Sequence, residues 1–516
     1  MICLSDDRLA PSGARAAFAR FRRDDHGGMA VPIALTVPVL FGFAMLAIDG
    51  GREFNLHTSA QQGADALALA GAAELDSRPD ALVRANRAIT SLVQNDARFG
   101  EGDSAIDGNS VGIRFLSSLP AQESAPITAA NVTADPRKAK FVEVSAPPVR
   151  FQSLFGGVIG NGGERQVSPS RAVAGFESIA CKVSPLFICN PFERTGVNLF
   201  TAIRDPLNKR RLIAMKEKST TYFPGNFGYL QPAVGSGASE VREAMAAAEP
   251  KGCYKHSGVE LRTGAIASTA EAMNTRFDIY DGYFKSERNN PVYRPALNVR
   301  KGWSYSGSNA CNATLAYDRT ATPAVNVSNK VPALGLPRDS CFYTNSCSFG
   351  GASMGGRVGD GSWDFETYWS YVHGPSTPKP NGWSNSNLPS RYEVYRYELE
   401  NGLYRNVTVR GIQGSGAEKE RGVPECTTQT LPTPEEDPLD RRVFYGAIMD
   451  CQALEEEYAI SGGSAPPMPV TAFGVFFMTE PMDKNDGTLW VELVDVVEPG
   501  TTTARGIVHD IVRLHR

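Results

Sequence analysis

Twenty-two consecutive uncharged residues, Gly27 to Ile48 (GGMAVPIALTVPVLFGFAMLAI), constrain this chain more than anything else in it. Wound as a helix at about 1.5 Å per residue, the run spans roughly 30 Å, the thickness of a bilayer's hydrocarbon core. Residues before it then lie on one side of a membrane and residues after Asp49 on the other. The flank before the run holds Arg8, Arg15, Arg20, Arg22 and Arg23, whereas after it Arg52 stands among Asp49, Glu53 and Asp65. Arginine-rich flanks stay cytoplasmic, so the N-terminus is expected inside and the remainder outside. A cleaved signal peptide would have a shorter apolar region closed by small residues; here charged residues follow.

A chain of 516 residues is longer than one core usually organises, so two or three folded units are expected beyond the span. A net charge of -4 is small for this length and carries no nucleic-acid signature. Cys3 stands alone before the span, while Cys181, Cys189, Cys253, Cys311, Cys341, Cys347, Cys426 and Cys451 form an even set after it. An even set in an oxidising compartment reads as a disulfide framework whose pairing spacing alone does not resolve.

Helical character continues past the span. Ala60, Ala64, Leu67, Gly71 and Leu75 recur at helical spacing, a narrow stripe suited to close packing against another helix. Ser77 and Pro79 break the helix, and Leu82, Ala85, Ile89, Leu92 and Val93 give the next one an apolar face. The period then changes to two around Val111, Ile113 and Phe115, and again at Phe141, Val142 and Val144, with RAVAGFE as a further extended run. Farther on, SEVREAMAAAE and GAIASTAEAMN read as short helices. The runs VFYGAIMD, AFGVFFMTE and LWVELVDVV read as buried strands of a mixed sheet.

The wording of the stretch from Gly27 to Asp76 resembles the N-terminal region of the TadG-like proteins of the tight-adherence (Flp) pilus system. The positions that carry the likeness are Gly27 and Gly28 opening the apolar helix, Asp49 closing it, then Gln61 or Gln62, and Asp65 ahead of the Ala-rich run Ala66 to Ala73. With Gly71, these are the candidate residues for anchoring and helix packing. Processed pilins carry a Glu five residues after the cleaved Gly, where this chain has Pro32, so an assembly factor that stays anchored fits better than a polymerising subunit. The resemblance implies a non-enzymatic, single-pass protein of the bacterial inner membrane that meets other pilus-assembly proteins or pilin-like subunits. The expected class is α+β: a tail (1–26), a transmembrane helix (27–48), a pilin-like helix-and-strands region (49–177), and a disulfide-braced exterior domain (178–516) with a loop-rich insertion at about 289–422.

Chemistry is thinly signalled. Asp360, Asp364 and Glu366 lie in a Gly-rich turn and are weak candidates for calcium, but lack EF-hand spacing. The sequence has no CxxC pair or HExxH, and neither His256 nor His373 has a neighbour in sequence that marks a general base. No cofactor, nucleic acid or small-molecule substrate is implied. Trp303, Trp363, Trp369 and Trp383 fall in the loop-rich stretch, where filling a small core is the favoured reading over an exposed binding surface. The rival readings are a membrane-tethered hydrolase, which would gather Asp, His and Ser in one pocket, and a calcium-dependent adhesin.

Overall fold

The computed structural model describes residues 30–75, 79–95, 111–120, 125–136, 138–148, 150–152, 164–217, 222–235, 237–256, 258–262, 268–301, 335–350, 355–406, 422–437, 440–458, 467–482, 484, 486–497 and 507–515. The chain is mixed α+β and divides into two units, residues 1–176 with 512–516, and residues 177–511. Gly27, Gly28, Cys3, Cys311 and Trp303 lie outside the described residues.

The first unit begins with α1 (Ala30–Ala72), a single helix of 43 residues that keeps Pro38 within it and is roughly 65 Å long. Helix α2 (Ala81–Asn95) follows and packs back on α1. Strands β1 (Gly112–Leu116), β2 (Phe141–Ser145), β5 (Arg171–Cys181) and β14 (Val508–Leu514) line up in that order, with a separate hairpin of β3 (Arg150–Gln152) and β4 (Glu164–Gln166). The two-residue period explains the layering: Val142 and Val144 of β2, with Ala172 and Ala174 of β5, point to one side and meet Ala64, Leu67, Ala68 and Ala72 of α1. On the opposite face Glu143 of β2 is set across from Arg114 of β1 and accepts its Nε–H at 2.6 Å. The last residues close this layer, the His515 amide donating to the Val173 carbonyl at 2.8 Å.

In the second unit the sheet comprises β6 (Val183–Cys189), β7 (Leu212–Glu217), β8 (Asn226–Leu230), β10 (Leu261–Arg262), β11 (Val443–Met449), β12 (Ala472–Met478) and β13 (Leu489–Val497), ordered β10-β8-β6-β11-β12-β13-β7. Lys216 and Glu217 of β7 also register with Asn226 and Phe227 of β8, which closes the ring from β8 round to β7. A strand that would have been an open edge is thereby paired. The runs VFYGAIMD, AFGVFFMTE and LWVELVDVV are β11, β12 and β13, and their near-continuous apolar character reflects burial on both faces. Leu186 and Ile188 of β6 join a core with α3 (Ala238–Ala246) and α4 (Thr269–Asn274), whereas Phe187 and Cys189 face a second core built on α5 (Phe365–Val372) and α6 (Arg391–Glu400).

Helices α5 and α6 stand within the loop-rich stretch. Ser390 and Glu393 form a reciprocal capping box at the start of α6, and Asp364 caps α5 by accepting from the Thr367 amide. Trp363 and Trp369 are buried in the second core and Trp383 is half-buried against Phe365 and Tyr397. Among the described residues, three disulfides have both partners in this unit: Cys181 to Cys253 between β5 and β9 (Cys253–Lys255), Cys189 at the end of β6 to Cys451 just past the parallel strand β11, and Cys341 to Cys347 within one turn. Cys426 is disulfide-bonded as well.

Candidate membrane anchor and helix socket

Helix α1 has two halves with opposite surroundings. In the apolar run, Val31, Leu35, Leu40, Phe41 and Phe43 are each more than half exposed. It is the one described helix long and apolar enough to cross a membrane. From Ala60 onward the same helix is sunk into its own unit, with Ala64, Leu67, Ala68 and Ala72 fully buried. Asp49, at the change of surroundings, is buried too.

The lower half is held by close approach and by one polar clamp. A Cβ on Gly71 would stand 2.6 Å from Ile89 Cδ1 of α2 and 3.4 Å from Val142 Cγ1 of β2, so the absent side chain is what lets α2 and the sheet both close on α1. Gln61 donates from Nε2 to Asp65 Oδ1 at 2.9 Å and to the Arg171 carbonyl at 2.9 Å, tying one turn of α1 to the start of β5. Asp65 therefore orients Gln61, and Gln61 satisfies a carbonyl at the head of a strand. The small-residue stripe, expected to meet another helix, meets α2 and also the sheet of its own chain. That leaves the apolar upper half as the surface α1 offers to neighbours.

Gly71→Val should lower the stability of this unit by about 1–3 kcal/mol, since the added isopropyl group would have to displace Ile89 in a packed layer. Chemical unfolding of the detergent-solubilised chain, followed by far-UV circular dichroism, measures it; an unchanged midpoint would show that the socket yields freely.

The second unit holds a buried ionic group that the sequence did not signal. Arg391, at the start of α6, donates from Nη2 to Asp339 Oδ1 at 2.6 Å, from Nη1 to Glu492 Oε1 at 2.7 Å, and from Nη1 and Nε to the Arg210 and Pro337 carbonyls. All three charged side chains are fully buried. Asp339 Oδ2 also accepts from Gly361 N, whose φ of +77° places it in the left-handed region, at 2.6 Å. Glu492 accepts the first amides of α6, Arg391 N and Tyr392 N. One guanidinium faces two carboxylates, and burial pushes Glu492 up to about 7, against the lowering effect of Arg391.

The sign follows from linkage. A carboxyl group that titrates higher in the folded chain than in the unfolded one stabilises the fold in its protonated form, so stability declines as pH rises from the ordinary carboxylate range through about 7. Glu492→Gln should flatten that decline; thermal scans of both chains between mildly acidic and mildly alkaline buffer measure it, and parallel curves would contradict it.

His373 also has a partner, though not a neighbour in sequence: its Nε2 meets Glu398 Oε1 at 2.9 Å, and Tyr368 Oη and Asn298 Nδ2 donate to the same carboxylate. Burial pushes Glu398 up, but the hydrogen bond and charge of His373 and the nearby Arg300 leave it below the ordinary carboxylate range. Both rings and the carboxylate are buried, so the group works as a strut for α5 and α6. Asp360, Asp364 and Glu366 have separate local duties, accepting from Ser362 N, capping α5 and pairing with Lys379. Among the described residues no three His, Cys, Asp or Glu side chains gather in a way that would hold a metal ion.

Comparison with known proteins points to the same helix. Residues 27–74 match the family model described as "Putative Flp pilus-assembly TadE/G-like". No curated protein and no solved structure matches the chain. The matched segment covers the apolar half of α1 together with the Gln61–Asp65 clamp and Gly71, so the part of this chain that is similar to the TadE/G-like pilus-assembly family is its long apolar helix, a candidate membrane span, and the socket that receives it.

Proposed function

We propose that this chain is a non-catalytic, single-pass protein of a bacterial inner membrane that takes part in assembling or anchoring a Tad/Flp-type pilus. The observation that carries the reading is the split in α1: within the segment matched to the pilus-assembly family, one half is bare and apolar and the other is locked into a folded unit. Such a helix transmits position. It holds a folded body at a fixed distance from the bilayer and leaves its apolar side chains for lipid and for neighbouring helices. The arginine-rich flank supports a cytoplasmic N-terminus, and the disulfides of the second unit support an oxidising compartment for the body.

The buried polar groups favour this reading over the hydrolase. Arg391, Asp339, Glu492, Glu398 and His373 are enclosed and mutually bonded, in the manner of groups that fix a structure. A photo-crosslinking residue placed at the exposed position Tyr283, in cells that carry the system, should trap a pilus-assembly component or pilin. Loss of the chain should at the same time remove surface pili. Normal pili in its absence would overturn the reading.

A further inference from the structure

The second unit contains a cleft of about 490 Å³ that the pilus reading does not use. Its size falls in the range of pockets that enclose small ligands. One wall is the short helix Pro206–Arg210 with Arg204 before it, the other is the segment from Trp383 to Glu393, and Glu492 and Val494 of β13 form the floor. Arg204, Lys209 and Arg210 line it beside the half-buried rings of Trp383 and Tyr392.

Both acids in the lining have partners of their own. Glu393 accepts from Ser390 N at 2.7 Å and from Ser390 Oγ at 3.0 Å in the capping box of α6, and Glu492 is paired with Arg391. Arg210 donates from Nη1 to the Leu388 carbonyl at 3.0 Å, but its Nε–H is buried with no acceptor. Lys209 makes no hydrogen bond or ion pair through its side chain among the described residues. The walls are pre-set as well: Trp363 Nε1 donates to the Pro389 carbonyl at 3.0 Å, and Arg391 Nη1 to the Arg210 carbonyl at 3.0 Å, so both sides are fixed from the core behind them.

We propose that this cleft binds an acidic sugar, a pyranose ring bearing a carboxylate or a phosphate, as a single molecule or as one unit of a longer glycan. The cations supply charge-assisted hydrogen bonds to the anionic group. Trp383 is engaged edge-on by Phe365 and Tyr397, and Tyr392 packs at a tilt on Phe477, so these rings offer part of a face to sugar C–H groups in place of the open slot that a nucleobase needs. The inference is independent of the pilus reading, because binding by the purified chain is measured without any pilus component.

Isothermal titration calorimetry on the full chain in detergent, with D-glucuronate, glucose 6-phosphate, D-glucose, inorganic phosphate and AMP, tests it. Saturable heat is expected from glucuronate, glucose 6-phosphate or both, and none from glucose; which of the two binds identifies the anionic group. Lys209→Glu should weaken the binding about tenfold, the loss of one charge-assisted contact, with an unchanged thermal midpoint. The proposal is overturned by the absence of saturable heat from both acidic sugars, by inorganic phosphate or AMP binding as tightly as they do, or by a Lys209→Glu chain that binds like the original.

Discussion

Replacing Arg391 by Met is expected to destabilise the second unit by about 3–5 kcal/mol, the usual cost of removing one partner from a buried ionic group. The substitution keeps most of the side chain's volume and removes its charge. Asp339 and Glu492 would then face each other's surroundings without a cation, and the Pro337 and Arg210 carbonyls would lose their donor. Urea unfolding of the detergent-solubilised chain, followed by tryptophan fluorescence, gives the value. Combining Arg391→Met with Asp339→Asn and Glu492→Gln should recover part of the loss, because the expense lies in the uncompensated carboxylates. A single-variant effect below 1 kcal/mol would mean that water reaches these groups.

Leu40→Arg should release the chain from the membrane or prevent its accumulation there. Leu40 sits near the middle of the bare apolar half of α1. A guanidinium at the centre of a spanning helix costs roughly 2.5–3.5 kcal/mol on insertion scales, a large share of what one span gains. Alkaline extraction of membranes, followed by immunoblotting of pellet and supernatant, reads the outcome. Undiminished retention in the pellet would remove α1 as the anchor. Val83→Arg, at an exposed position of α2 outside the apolar run, is the matched control and should leave retention as it was.

What could be read from residues alone follows the range of the physics involved. An uncharged run and a helical stripe are local signals, and α1, α2 and the change to strands at Gly112 are where the periods place them. The runs that became β11, β12 and β13 were equally plain, since strands buried on both faces must be apolar throughout. Gln61 and Asp65 were legible as a pair of notable positions, yet the second acceptor of Gln61, the Arg171 carbonyl, lies 110 residues away. Arg391 is 52 residues from Asp339 and 101 from Glu492, and nothing local distinguishes a buried arginine from a solvated one. His373 and Glu398 are 25 apart, on neighbouring helices. The cleft is harder still, since its walls come from three segments that only the sheet brings together.

The placement of β14 sets an order of folding. Residues 512–516 belong with residues 1–176, and His515 pairs with Val173 on a strand some 340 residues earlier in the chain. Chains fold from the N-terminus as they are made, so the flank of β5 that β14 covers stays open until residues 177–511 have been synthesised. A product that stops before β14 leaves that flank able to pair with another chain. A fault that halts synthesis anywhere in the second unit therefore also leaves the sheet of the first unit open.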